Sequence, residues 1–390
     1  MTSLTNSEKA TSTFTSQLLP TFKRQMFVYT FFRRRSHFPS EPWSTPRSTT
    51  RTRLEGDIVT LSTSTSTGPC RETLSSGTPL NGRRQGERNF QPPLELIHRL
   101  RSHGIKVRGH NLIWSVEKYV QGWVKQLTGD TLRHAVQHHI QDTMNVTRGL
   151  LEHWDVNNEN IHGHWYEQQL HDPDYNLEVF RIAHNADPTM KLFLNDYGVV
   201  SSGQGTTKYL AQAKQVKAAN LGLFGIGVQC HFRHEADPDP DAIKQRLDTL
   251  AQAGLPIWVT ELDVSVHDQD TRADFLERAL RAVYGHPAVE GILLWGFWDV
   301  RHWRGPNSAL VKGDNLDLLP AGRRFLDLVE NQWMTDETHV LSQSRDTYTV
   351  RGFHGDYELH VIYQGHDLAN LTKTFTLGKT DHTINVDVHV

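Results

Sequence analysis

Two segments, HWDVNNEN at 153–160 and PIWVTELDV at 256–264, each lead from β-branched and aromatic residues to a glutamate, Glu159 in the first and Glu261 in the second. Paired carboxyl groups are what retaining glycoside hydrolysis requires. One is protonated and donates to the leaving oxygen, and the other is ionised and attacks the anomeric carbon, with the two about 5 to 5.5 Å apart. Two chemically identical groups must therefore be held in different protonation states. Repulsion from an ionised Glu261 is expected to raise the pKa of Glu159 and keep it an acid. Once Glu261 carries the sugar as an ester, that repulsion ends and Glu159 becomes the base that activates water.

Neighbouring side chains fit the same chemistry. Asn158 immediately precedes Glu159 and can bond a sugar 2-hydroxyl, a contact that strengthens in the oxocarbenium-like transition state. His231, together with Asp263, two residues past Glu261, can hold Glu261 in place and ionised. Gln229 lies two residues before His231, on the same side of an extended segment. Trp295 and Trp303 offer flat faces for pyranose rings.

The elements that must position these residues alternate along the chain. Apolar strand runs at 105–114, 153–159, 191–197, 225–232, 256–264 and 291–299 carry apolar residues on both faces, as buried parallel strands do. Helical patterns at 131–149, 176–186, 205–219, 239–253, 271–284 and 321–332 separate them, and PPLELIHRLRSHG at 92–104 opens with prolines and stops at Gly104. Strict alternation implies βαβ units and a parallel sheet, and the expected architecture is a (β/α)8 TIM barrel with six βα units recognisable. Glu159 and Glu261 then fall at strand C-termini, the face on which such barrels carry chemistry.

Beyond residue 333 the pattern shortens and alternates, at 347–353, 357–363, 371–376 and 382–390, and reads as a small antiparallel β-module. Residues 1–85 are rich in Ser, Thr, Arg and Pro and lack periodicity, so they read as low-complexity, disordered sequence or as sequence foreign to the domain. The division read from the sequence is 1–85, a catalytic domain over 86–333, and a β-rich module over 334–390.

Composition excludes some partners. A net charge of -3 over 390 residues gives no general electrostatic attraction to nucleic acid or anionic membrane. No apolar run reaches the length of a membrane span, and no signal peptide is visible at the N-terminus. Two cysteines cannot build a disulfide framework. The 23 histidines show no metal-ligand spacing, and the acidic, proline-bearing loops at 171–174 and 233–241 read as turn and cap residues. No metal or cofactor is expected.

The segment from Gly86 to Trp333 resembles glycoside hydrolase family 10, known for endo-β-1,4-xylanases. The resemblance rests on RGHNLIW (108–114), WDVNNEN (154–160), LFLNDY (192–197), GIGVQCH (225–231), VTELDV (259–264) and LLWGFWDVRHW (293–303), in the family's order and spacing. The form DVNNEN and the β-module look more like animal members. The resemblance implies Glu159 as acid/base, Glu261 as nucleophile, and His110, Trp114, Asn158, Gln229, His231, Trp295 and Trp303 around the cleaved bond. It further implies a polysaccharide substrate, xylan or a related β-1,4-glycan, and an extracellular monomer. Where many members carry a second histidine after Trp114, this chain has Ser115, which removes a hydrogen-bond partner near the centre.

The family's first two βα units have no counterpart in residues 1–85. QMFVYTFF (25–32) and GDIVTLST (56–63) are not expected to fill their strand places, because neither is followed by a helix. The rival reading is a catalytically impaired carbohydrate-binding protein derived from the family.

Overall fold

A computed structural model describes residues 89–233 and 237–333, the backbones of three strands at 12–17, 25–28 and 58–62, and, past 333, residues 335, 337–340, 348–349, 352, 355–363, 365–377 and 384. Apart from those three strands, the disorder expected over 1–85 falls outside the described residues, as do nearly all of the strands expected at 347–353 and 382–390. The chain forms two compact units, Gln25–Arg323 and a second built from Met1–Arg24 with Arg324–Val390.

In chain order the elements begin with β1 (Ser12–Gln17), β2 (Gln25–Val28), β3 (Ile58–Ser62), α1 (Gln91–Ser102), β4 (Lys106–Trp114), α2 (Gly129–Val146) and β5 (His153–Asn158). Next come α3 (Trp165–Leu170), α4 (Tyr175–Ala186), β6 (Lys191–Asp196), α5 (Thr206–Ala218), β7 (Leu223–Val228) and β8 (His231–Arg233). The larger unit ends with α6 (Pro240–Ala251), β9 (Ile257–Ser265), α7 (Gln269–Tyr284), β10 (Val289–Leu294), a short hairpin of β11 (Val311–Lys312) and β12 (Asp317–Leu318), and the first residues of α8 (Pro320–Asp327).

Its parallel sheet runs in the order β2-β10-β9-β7-β6-β5-β4-β3, with β8 continuing the line of β7 beside β9. The core strands β4, β5 and β9 are buried along nearly their whole length, which is why their sequences show no polar alternation. Helices pack behind the strands through apolar faces such as Val179, Phe180 and Ala183 of α4. Their starts are set by local chemistry. Asp239 accepts a hydrogen bond from the Asp241 N–H ahead of Pro240, and Asp268 accepts one from Thr271, so the acids of the 233–241 loop include a helix cap as expected. Inside the sheet Phe193, Trp258 and Leu293 meet. Gly291 makes room for Trp258, since a Cβ there would come within 2.4 Å of the indole.

Two expectations about the N-terminal segment are corrected. Residues 25–28 and 58–62 do stand at the outer places of the sheet, β2 along β10 and β3 along β4. A strand joins an open parallel edge through its own N–H and C=O groups, so a following helix is not a condition for pairing. In the smaller unit β1 lies between β13 (Glu337–Val340) and β14 (Gly355–Tyr363), with β15 (His366–Asp367) and β16 (Lys373–Leu377) on the far side of β14, all antiparallel. Its N-terminal strand was not legible in a Ser/Thr-rich segment without alternation.

Candidate active site

The C-terminal strand ends bring the candidate residues into one row. Pairing sets Trp114 opposite Asn158, Asn158 opposite Asn195, and Asn195 opposite Gly227, while His231 lies opposite Asp263. Residues separated by tens of positions in sequence thus become lateral neighbours because their strands share a register.

Glu159 follows β5 directly and sits at φ 58°, the left-handed region that a residue with a Cβ enters at a cost of about 1 kcal/mol or more. Its own N–H donates to the Asn195 carbonyl at 2.8 Å, which holds that turn. Trp114 Nε1 donates to Glu159 Oε2 at 2.9 Å and Gln229 Nε2 to Oε1 at 3.3 Å. The pKa of Glu159 is pushed up to about 7. Burial is the leading cause, the Trp114 donation opposes it, and repulsion from Glu261 adds to the rise. The direction expected from the sequence holds, but the leading cause differs. Desolvation acts on the carboxyl itself, whereas the charge of Glu261 acts from across the site.

Glu261 is buried on β9, at 4% exposure. Asn195 Nδ2 donates to its Oε1 at 2.9 Å, and His231 Nε2 to its Oε2 at 3.2 Å. Burial opposes charge on His231, but the carboxylates of Asp263 and Glu261 overcome it and lift the imidazole to about 9. An imidazolium therefore faces Glu261 at neutral pH. Asp263 is the anchor behind it, 3.1 Å from His231 Nδ1 and bonded by Trp303 Nε1 at 2.7 Å and Arg304 Nη1 at 2.9 Å. Burial penalises the Asp263 carboxylate, yet His231 and Arg304 outweigh that and hold its pKa below the ordinary range.

His110 lies 3.9 Å from Glu261 Oε1 through Nε2, and its Nδ1 donates to Asp155 at 2.8 Å. Arg108 bonds the other oxygen of Asp155, which fixes the ring. Trp295 meets the edge of His110 at 5.5 Å between centroids. Trp303 is 41% exposed although its indole N–H is committed to Asp263, so its ring has an open face. Trp114 stacks on Tyr119 at 3.7 Å.

Of the ten residues singled out in the sequence, Trp114 and Asn158 end their strands, Glu159, Gln229, Trp295 and Trp303 lie in the segments that follow strands, His231 opens β8 and Asp263 lies in the C-terminal half of β9, whereas His110 and Glu261 stand mid-strand on β4 and β9 rather than at the strand ends expected from the sequence. Others were missed. Asn195 Nδ2 also donates to Asn158 Oδ1 at 2.9 Å, so it touches both the residue before Glu159 and Glu261 itself. Its signal was its place in LFLNDY at the end of an apolar run. Asp155 and Arg108 had no comparable signal, since a buried ion pair is visible only once strands are paired. Asp196 accepts from Ile161 N at 2.8 Å and from His162 Nδ1 at 2.6 Å, and so clasps the loop after Glu159.

Ser115 has side-chain partners of its own, Asn157 and Asn160. Its hydroxyl donates to Asn157 Oδ1 at 2.6 Å and accepts from Asn160 Nδ2 at 3.3 Å, in a buried network that continues to Glu167 and Gln212. A small residue also allows the Glu159 loop to close on the strand end. A Cβ on Gly163 would lie 2.5 Å from the Val116 backbone. Among the described residues no group of His, Cys, Asp and Glu is arranged to hold a metal ion, and no helix is long and apolar enough to cross a membrane.

Comparison with known proteins bears on the family and the fold. The model of the family described as Glycosyl hydrolase family 10 matches residues 80–326. Endo-1,4-beta-xylanase 1 of Arabidopsis thaliana is 36% identical over 309 residues, covering 78% of this chain and 32% of that protein. Endo-1,4-beta-xylanase 2 of the same plant is 37% identical over 281 residues, covering 71% of this chain and 26% of its own length. The chain therefore spans about a third or less of the length of these curated relatives. Among solved structures, native xylanase 10B from Thermotoga maritima superposes with a TM-score of 0.61 at 23% identity, over 72% of this chain and 88% of that one, which shows a shared fold.

Proposed function

The chain belongs to glycosyl hydrolase family 10, and on that premise we propose that it is a retaining endo-β-1,4-glycanase acting on xylan, with Glu159 as acid/base and Glu261 as nucleophile. The observation that carries the reading is the unequal treatment of the two glutamates. Glu159 is held as an acid with a pKa of about 7, while Glu261 faces an imidazolium and an amide donor.

Glu159 gives its proton to the leaving glycosidic oxygen as Glu261 attacks the anomeric carbon, and Asn158 binds the 2-hydroxyl. The glycosyl ester removes the charge of Glu261 and with it one of the causes that raise Glu159, which then takes a proton from water. No metal or cofactor enters this scheme. Trp295 and Trp303 flank the cleft as stacking faces, and His110, Gln229, His231 and Asp263 position and neutralise. We take the sheet, with β2 and β3 as its two end strands, as the family's (β/α)8 barrel, and the antiparallel sheet as a separate module. The working form in this reading is a monomer outside the cell.

Release of reducing sugar from xylan by the full chain, beside its Glu261→Ala variant, tests the proposal. Release by the parent chain and its loss in the variant are expected. Equal release from both would refute the assignment. Parallel assays on mixed-linkage glucan and cellulose set the specificity.

A further inference from the structure

From the geometry we propose that Thr260 and Asn195 form a positioning bracket that sets the amide orientation of Asn158 and the carboxylate of Glu261 together, so that both depend on a single hydroxyl proton. The inference rests on the retaining mechanism proposed above and deepens it.

The bracket follows from donor and acceptor counting. Thr260 Oγ1 donates to Asn195 Oδ1 at 2.6 Å. An amide oxygen so fixed forces the Asn195 NH2 group to the other side, where it donates to Glu261 Oε1 and to Asn158 Oδ1, each at 2.9 Å. Asn158 Oδ1 also receives Gln229 Nε2 at 3.4 Å, so its carbonyl side is fully taken by donors. Asn158 is thereby turned with its NH2 group buried and without a partner among the described residues. That group is what a sugar hydroxyl oxygen would accept from.

If Asn195 rotated by half a turn, its carbonyl would face two acceptors, the Asn158 oxygen and the Glu261 carboxylate, with no proton between them. Thr260 blocks that rotation. Thr260 is 2% exposed and Asn195 1% exposed, so water cannot replace the hydroxyl. The space for this arrangement is provided by Gly227, where a Cβ would lie 2.6 Å from Asn195 Oδ1 and 2.9 Å from Thr260 Cγ2. Asn195 reaches the acid as well, because its backbone carbonyl accepts the Glu159 backbone N–H at 2.8 Å.

A bracket that acts through Asn158 predicts a dependence on the sugar 2-hydroxyl that general loosening of the fold does not. The assay measures kcat and KM of the full chain on an aryl β-xylobioside and on its counterpart lacking the 2-hydroxyl at the cleaved sugar. Thr260→Val, close in shape but without the hydroxyl, is expected to lower kcat on the parent substrate roughly 10- to 100-fold, the scale of losing the dependent Asn195 bond to the charged Glu261, with KM little changed. Thr260→Ser restores the hydroxyl and is expected to recover most of that loss.

The ratio of kcat/KM between the two substrates should collapse in Thr260→Val and Asn195→Ala to the value of Asn158→Ala. Asn195→Ala combined with Asn158→Ala should cost little more than Asn195→Ala alone. A reduced kcat with the parent ratio between the two substrates, or full additivity of the pair, overturns the bracket while leaving the enzyme reading intact. If Asn195→Ala does not fold, the Val and Ser variants at 260 decide by the same ratio. A parent chain that cleaves neither the aryl substrate nor xylan removes both readings.

Discussion

Replacing Trp114 by phenylalanine should move the basic limb of activity upward by about one pH unit. Trp114 Nε1 donates to Glu159 Oε2 at 2.9 Å, and this bond is the leading influence that holds Glu159 below the value burial would otherwise give it. An N–H donor favours the ionised carboxyl, so removing it stabilises the acid. A hydrogen bond to a charged group contributes about 1.5 to 3 kcal/mol, and 1.36 kcal/mol corresponds to one pKa unit, which sets the shift at about one to two units. Glu159 is partly exposed, so water recovers some of the lost bond and the lower figure applies. Phenylalanine keeps an aromatic ring against Tyr119, which limits the loss of packing.

The measurement is the pH profile of kcat/KM on an aryl β-xylobioside with a poor leaving group, which reports ionisations of the free enzyme. In the parent chain activity should fall as pH rises through about 7, where Glu159 loses its proton. In Trp114→Phe the fall should come near pH 8, about one unit higher. Because the position of the limb is independent of its height, a lower overall rate does not obscure it. A limb that stays in place or moves to lower pH would show that this indole does not hold the acid.

Three further outcomes are expected. Glu159→Ala should abolish xylan hydrolysis yet spare the glycosylation of a dinitrophenyl xylobioside, whose leaving group needs no proton, and azide should release a β-configured glycosyl azide; an α-configured product would contradict retention. The raised pKa of His231 makes a stabilising contribution that is complete below its ordinary value of 6.5 and is lost as pH rises through about 9. The melting temperature difference between the parent and His231→Ala should therefore shrink between pH 6 and pH 10, and a constant difference would refute the pairing with Asp263. Asp268→Ala removes the side-chain acceptor at the start of α7 and should cost about 1 kcal/mol in urea unfolding without changing kcat, whereas no measurable loss would mean the cap is dispensable.

The sequence by itself singled out the two glutamates of the proposed catalytic pair and the elements beneath them. Glu159 and Glu261 follow runs too apolar on both faces to be anything but buried strands, and a strand that ends inside a parallel sheet delivers its last residues to one rim. The helices between 91 and 327, the short α3 apart, were legible for the same local reason, apolar spacing, and the structure bounds two of them with caps at Asp239 and Asp268. The tertiary structure decided everything that depends on register. It placed Asn195 between Asn158 and Glu261, set Thr260 behind it, and turned Ser115 into a member of a buried network. It also brought residues 25–28 and 58–62 to the outer places of the sheet, which no local pattern had required. Strand ends are written in short-range composition, but a hydrogen bond across strands depends on which residues the pairing sets side by side. That pairing is a property of the whole sheet, and it made burial the leading cause of the raised pKa of Glu159.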